Sequence, residues 1–227
     1  MSREKNKYLK LLAEARISKG TMKAIGAIDR VKYFDQIFSD RVYSTEQIPI
    51  GAGQKSDDPV TLARMIDLLA LKKNWRLLEV GTGSGYSTAI LSQLVKEVIT
   101  VEYHEELAQR ARERITKDGY TSVRFFCGDA TDFSEPIGDF DAVVIFAACQ
   151  RTPYSIINMI KPGGEAVFPL GPAFQQQIAR FLNRIEAPDV SKNFNFYDLC
   201  TFDSIRGIYG WVDVPDVSMA EEPAEKP

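Results

Sequence analysis

LLEVGTGSGY, residues 77–86, decides the fold. An apolar run ends at Val80, glycines follow at positions 81, 83 and 85, and a helical pattern opens directly after them. A strand that stops at a glycine turn and passes into a helix is the start of a βαβ unit. Glycine permits the sharp turn and lets backbone approach a ligand that a Cβ would exclude. The amino end of the next helix then offers unpaired N–H groups.

The alternation continues downstream. With RLLEV (76–80), the runs VITVE (98–102), VRFFC (123–127), FDAVVIF (140–146) and EAVFPL (165–170) read as five apolar strands. Helical patterns lie between most of them, at 86–95, at 104–117 (closed by Asp118-Gly119) and at 153–160 before Lys161-Pro162-Gly163-Gly164. This predicts an α/β fold with a Rossmann-like, doubly wound, mostly parallel sheet covered on both faces. Ile178–Leu182 and Phe196–Phe202 read as later antiparallel strands. Upstream, residues 8–38 form two amphipathic helical runs, the second from Thr21 to Phe38, with Gly20 breaking them. Residues 39–56 are turn-rich, and a helix begins at Pro59. Phe125, Phe126, Phe140 and Phe146 fall on strands and are expected in the core.

Composition excludes several function classes. The chain has 227 residues, 44% hydrophobic and 26% charged, with a net charge of −3. That balance supplies no basic field for a nucleic-acid backbone. Arg110, Arg112, Glu113 and Arg114 read as a solvated helix face. The start, MSREKNKYLK, is polar and no long apolar stretch occurs, so a cytoplasmic protein without membrane contact is expected. Cys127, Cys149 and Cys200 are scattered and odd in number, as reduced thiols are. One histidine, His104, argues against histidine-based metal chemistry.

The cofactor follows from the residues around the turn. Glu102 ends the second strand, twenty-one residues after Gly81, where an acid accepts bonds from both ribose hydroxyls. NAD and S-adenosylmethionine both fit to this point. Three features favour the second. Gly85 follows Gly83 by two positions, not the three of the dinucleotide fingerprint. Glu79, just before the turn and expected to face the crevice, suits an ammonium or sulfonium and repels a pyrophosphate. CGDATDF places Asp129 at the end of the third strand, where it could bond an adenine amino group. Thr82 within the turn, Gly128 and Ala130 beside Asp129, and Tyr86, Tyr103 and His104 beside the nucleotide complete the candidate cofactor set. Gln54 joins it from the loop 54–57, expected to close over the methyl.

These motifs resemble the protein-L-isoaspartate O-methyltransferases, over about residues 8–211. IPIGAGQ, LLEVGTGSGYSTAIL, VITVE, GDA, FDAVVIFAAC with Pro153 following, and KPGGEAVFPLG with Gln175–Gln177 carry the resemblance. It implies a methyltransferase that uses S-adenosylmethionine to methylate the carboxyl of isoaspartyl residues in damaged proteins, with isoaspartyl-containing peptides or proteins as substrate. The expected organisation is a helical cap and active-site loop over 1–56, the S-adenosylmethionine-binding domain over 57–211, and a disordered acidic tail over 212–227. Oligomeric state is left open.

Two segments depart from the family. In it a serine stands two residues before the proline, near the transferred methyl; GQKSDDP puts Asp57 there, with Ser56 one place earlier. The closing segment, FVPL in the family, is Phe202-Asp203-Ser204-Ile205. Asp58, immediately before Pro59, reads as a helix cap. Asp57 has three readings. It is exposed at the helix start, which ranks first; it faces the substrate and repels its carboxylate unless one holds a proton; or it takes a proton from an amine, amide or hydroxyl acceptor. Asp57 and Ser56 are thus the candidate catalytic residues. Two alternatives stay open: a methyltransferase of the same descent acting on another nucleophile, and a protein that binds S-adenosylmethionine without turnover. Cys149 lacks a base partner and is expected only to line the pocket.

Overall fold

The computed structural model describes residues 3–133, 137–184, 190–208 and 210. The acidic tail lies outside them.

Helix α1 (Arg3–Glu14) buries Tyr8 and Leu12, one turn apart. The chain then reverses through Arg16 at φ 59°. Helix α2 (Lys19–Ala27) starts at Ser18, whose hydroxyl accepts the Thr21 N–H. Gly20 is therefore inside this helix, and the break comes earlier. The second helical run also stops short of Phe38. Asp29 accepts the Val31 N–H at 3.3 Å and tightens the chain into a 3₁₀ turn at Arg30–Tyr33, with another at Gln36–Phe38. A small antiparallel hairpin, β1 (Pro49–Gly51) and β2 (Gln54–Lys55), follows. Helix α3 (Pro59–Leu68) has Pro59 at its first turn and Asp58 as cap, accepting the Thr61 N–H at 2.8 Å.

The remaining elements are β3 (Arg76–Val80), α4 (Tyr86–Ser92), β4 (Glu97–Glu102), α5 (Glu105–Lys117), β5 (Val123–Cys127), β6 (Phe140–Ile145), α6 (Tyr154–Ile157), β7 (Ile160–Leu170), β8 (Gln176–Leu182) and β9 (Phe194–Cys200). The sheet order is β5-β4-β3-β6-β7-β8-β9. The first five strands in that order run parallel, and β8 and β9 are antiparallel additions. The chain builds outward from β3 to β5, then crosses back to place β6 on the other side of β3. That reversal opens a crevice beyond the carboxyl ends of the strands, where α/β sheets bind ligands.

Two expectations change. The helix read at 153–160 is one turn, because β7 starts at Ile160. Asn183 Nδ2 donates to the carbonyls of Ile160 (2.7 Å) and Lys161 (3.2 Å), and the Gly163 N–H donates to the Asn183 carbonyl at 2.7 Å. The apparent turn glycines are thus held in a strand. Phe140 and Phe146 are core, but Phe126 is 40% exposed, since β5 is an edge strand.

The amino-terminal helices share one buried cluster with the sheet: Tyr8, Leu12 and Ile25 pack in the same core as Met65, Leu77 and Ile90. Each such aliphatic side chain contributes about 1.5–3 kcal/mol on full burial. Arg110 and Arg114 do not form a purely solvated face. Arg110 donates to the Ile50 carbonyl (3.1 Å), Arg114 to the Ser84 carbonyl (3.2 Å), and both pair with Asp35. Helix α5 thereby ties the cap to the glycine turn. Among the described residues no helix is long and apolar enough to cross a membrane.

Candidate functional site

All three turn glycines adopt positive φ: 92° at Gly81, 53° at Gly83 and 87° at Gly85. A Cβ on Gly83 would stand 3.3 Å from Ile50 of the hairpin, and one on Gly85 would stand 3.3 Å from Ala111 Cβ of α5. The third glycine therefore serves the close packing of α5. Glu102 closes the turn from the next strand. Its Oε2 accepts the Gly83 N–H at 2.8 Å and its Oε1 accepts the His104 N–H at 3.0 Å. A carboxylate oxygen has two lone pairs, so each retains one for a ligand hydroxyl. Thr82 is buried in the turn, its hydroxyl 2.6 Å from that of Thr100.

Glu79 does not face the crevice as expected: it is fully buried, behind the cleft lining, because its side chain is held by hydroxyls of α4 and β4. Its Oε2 accepts from the hydroxyls of Thr88 (2.6 Å) and Thr100 (2.7 Å), while Oε1 has no partner. Burial pushes this carboxyl up to about 7, against the opposing Ser87, Thr88 and Thr100 hydroxyls, and with reinforcement from Glu102. The fold thus disfavours the ionised form, which in the unfolded chain appears above about 4.5. Stability of the cofactor-free protein is fullest below that value and declines as pH rises towards 7. Glu79→Gln cannot titrate, so its unfolding free energy should gain on the wild type by on the order of 2–3 kcal/mol between pH 5 and 8. Urea unfolding of both proteins checks this; a constant difference across pH would refute it.

At the opposite wall the loop after β2 presents Ser56, Asp57 and Asp58. The Ser56 hydroxyl accepts the Ile48 N–H (3.0 Å), and its own N–H donates to the Ile48 carbonyl (2.8 Å). Asp58 is engaged as the α3 cap. Asp57 is half-buried and lines the cleft, so the exposed, capping role ranked first for it does not hold: its neighbour has taken that role. Burial raises the Asp57 carboxyl to about 7, opposed by Arg30 and reinforced by Glu79, Asp203 and Asp58.

Arg30 was not singled out by sequence reasoning. It is 1% exposed, donates from Nη1 to the Tyr8 hydroxyl at 2.9 Å, and lies over the Tyr86 (4.8 Å), Phe34 (5.1 Å) and Tyr8 (5.4 Å) rings. Among the described residues its Nε has no partner. The only sequence signal was the surrounding aromatics, and those read equally as core. Asp203 and Arg206 were missed as individual residues, although the departure at 202–205 marked their segment. That segment reaches the cleft because the Ala148 N–H donates to the Asp203 carbonyl (2.8 Å) and the Ile205 N–H to the Ala148 carbonyl (2.9 Å). The buried Gln176 holds it from behind, accepting the Phe202 N–H at 2.9 Å.

Gln54, Gly81, Thr82, Gly83, Tyr86, Glu102, Tyr103, His104, Gly128 and Ala130 all line this cleft. Asp129 differs. Its Oδ1 accepts from the Thr131 N–H (2.7 Å) and hydroxyl (2.6 Å), and its Oδ2 from the Ile208 N–H (2.6 Å). The carboxylate is occupied with the closing segment and turned from the cleft lining, so adenine would meet Gly128 and Ala130 instead. Cys149 lines a neighbouring hollow; burial pushes its thiol up to about 12, which leaves no thiolate for nucleophilic chemistry. Among the described residues no cluster of side chains could hold a metal.

The donor set fits an S-adenosylmethionine-like ligand. Gly83 leaves a cradle that a Cβ would fill, Glu102 keeps lone pairs free, and a cation at the turn would draw the buried Glu79 towards its ionised form, which a pyrophosphate would oppose.

Residues 3–195 match the family described as protein-L-isoaspartate(D-aspartate) O-methyltransferase. A protein-L-isoaspartate O-methyltransferase of Dictyoglomus thermophilum is 34% identical over 215 residues, covering 92% of this chain and 94% of the relative. One from Rhodopseudomonas palustris is 35% identical over 171 residues, covering 75% and 77%. A solved protein-L-isoaspartate O-methyltransferase superposes with TM-score 0.79 at 21% identity, covering 91% of this chain and 67% of the other. A Plasmodium falciparum protein assigned to the same activity, solved with S-adenosyl-L-homocysteine, gives 0.76 at 20% identity over 91% and 99%. At these identities the two structures establish the shared fold.

Proposed function

The chain belongs to the protein-L-isoaspartate O-methyltransferase family, and from that premise we propose that it methylates the free carboxyl of L-isoaspartyl residues in damaged proteins, using S-adenosylmethionine. The observation that carries this reading is one cleft with two chemically different walls. One wall has the glycine turn and Glu102, suited to a nucleoside. The other has Arg30, whose cation suits an acidic acceptor, together with Asp57.

When bound, S-adenosylmethionine supplies a methyl on a sulfonium, which a nucleophilic oxygen takes as the thioether leaves. The chain's own residues align and shield. Glu102 would hold the ribose hydroxyls, Gly128 and Ala130 would border the base, and the turn from Gly81 to Gly85 would admit the backbone-close part of the ligand. A carboxylate acceptor is already ionised at pH 7, so no group need remove a proton; the site supplies proximity and orientation. Arg30 brings the positive charge that an acidic acceptor requires. The three cysteines are free thiols, which supports a reducing, cytoplasmic setting.

Methyl-labelled S-adenosylmethionine and paired peptides that differ only in an isoaspartyl or aspartyl linkage test the reading. Base-labile label, released as methanol, is expected on the isoaspartyl peptide alone. Asp57 favours one second reading, in which it takes a proton from a different nucleophile. Base-stable label on an amine or amide acceptor would establish that instead.

A further inference from the structure

Resting on the isoaspartyl reading, we propose that Asp57 recognises the acceptor as a neutral acid: it donates its carboxyl O–H to the substrate carboxylate, and the pair shares one proton beside Arg30. Of the three consecutive polar side chains at this wall, Ser56 is committed to Ile48 and Asp58 to the start of α3. Asp57 makes no hydrogen bond among the described residues and is open to the cleft. It is the side chain free to meet an acceptor.

The charges around it decide its state. Arg30 is one cation, held in a cage of rings with an unpartnered Nε. Asp203 lines the same cleft, Glu79 is buried behind the turn and Asp58 is adjacent. Glu102 and His104 stand at the nucleoside side, and Lys55, Arg206 and Asp203 are all exposed, so water screens the three alike. A substrate carboxylate beside an ionised Asp57 would put two anions against one buried cation. Two carboxyls in such a place cannot both ionise, and one keeps a proton. Burial has already brought Asp57 near its titration midpoint at neutral pH, so the cost of retaining that proton is small. The proton stays on the pair through methyl transfer; only the bonds to the methyl change.

Two consequences differ from those of a purely structural Asp57. First, kcat/KM on the isoaspartyl peptide should fall as pH rises through about 7, approaching tenfold per unit above it. Second, above pH 7 peptide binding should take up about one proton per site, since the pair needs one and free Asp57 has lost it. The uptake is read by calorimetry of the isoaspartyl peptide with the S-adenosylhomocysteine-loaded protein, in buffers of different ionisation enthalpy.

Asp57→Asn and Asp57→Ser each keep a donor that does not titrate. Both should bind peptide without proton uptake, and their kcat/KM should no longer fall above pH 7. A wild-type profile that stays flat from pH 6 to 9 overturns the proposal while leaving the isoaspartyl activity intact. So does a fall that survives in Asp57→Asn, because that enzyme retains Glu79, whose carboxyl burial also raises to about 7. Label on neither peptide at any pH, from wild type or Asp57→Ser, overturns the isoaspartyl reading and this proposal with it.

Discussion

Glu102→Ala should weaken binding of S-adenosylhomocysteine by about two orders of magnitude, with the fold intact. A hydrogen bond to a charged group contributes about 1.5–3 kcal/mol, and Glu102 would make two to the ribose. Losing about 3 kcal/mol at roughly 1.4 kcal/mol per decade gives that factor. The substitution also strips an acceptor from the Gly83 and His104 amides, which loosens the turn at its centre. Glu102→Gln keeps one acceptor oxygen and should lose only about tenfold. Calorimetric titration measures both, and far-UV melting establishes that each variant is folded. Affinity within threefold of wild type for Glu102→Ala would remove this carboxylate from the cofactor site.

Gly85→Val should destabilise the protein by about 4 kcal/mol, through two additive causes. At φ 87° a β-branched residue has no comfortable rotamer, a cost of about 1–3 kcal/mol. Its side chain would also press on Ala111, where even a Cβ stands only 3.4 Å from the backbone Cα, and overpacking adds about 1–3 kcal/mol. Gly119 is the control. It has a similar φ of 81° but nothing within 4 Å of an added Cβ. Gly119→Ala should therefore cost only the backbone term, about 1 kcal/mol. Urea unfolding of the three proteins compares them directly. Equal losses at the two sites would mean that α5 does not rest on the glycine turn.

Much of the fold was legible because its signals are local. A strand, a glycine turn and a helix are each written in consecutive residues, and 77–86 announces all three. The strands were read within two residues of their observed limits, except β7, which begins five residues before the apolar run EAVFPL. What failed depended on partners distant in sequence. Nothing in KPGG says that Asn183 will hold it as a strand, or in Phe126 that its strand lies at an edge. The run from Thr21 to Phe38 has helical spacing throughout, yet a single Asp29 side chain ends it after Ala27. The site divides in the same way. The nucleoside wall comes from turns following strands, so Gly81, Gly83 and Glu102 were visible. Asp129 was visible too, but its carboxylate is turned to Ile208, seventy-nine residues away. At the acceptor wall Asp57 and Asp58 are adjacent and alike, and only the direction of the chain into α3 determines which one faces the cleft. Arg30 was hidden because an arginine inside a core is rare, and its cage is assembled from three separate elements.

The bridge between residue 148 and residues 203–205 sets an order in time. The glycine turn, Glu102 and the strands that carry them are complete once β7 has been made. The wall bearing Asp203 and Arg206 cannot be laid down until the chain has run out through β8 and β9 and doubled back. Some thirty residues of chain separate the end of β7 from the segment that completes this wall. Asp203 and Arg206 thus owe their place in the cleft to β8 and β9, whereas the glycine turn and Glu102 are carried by β3 and β4 alone.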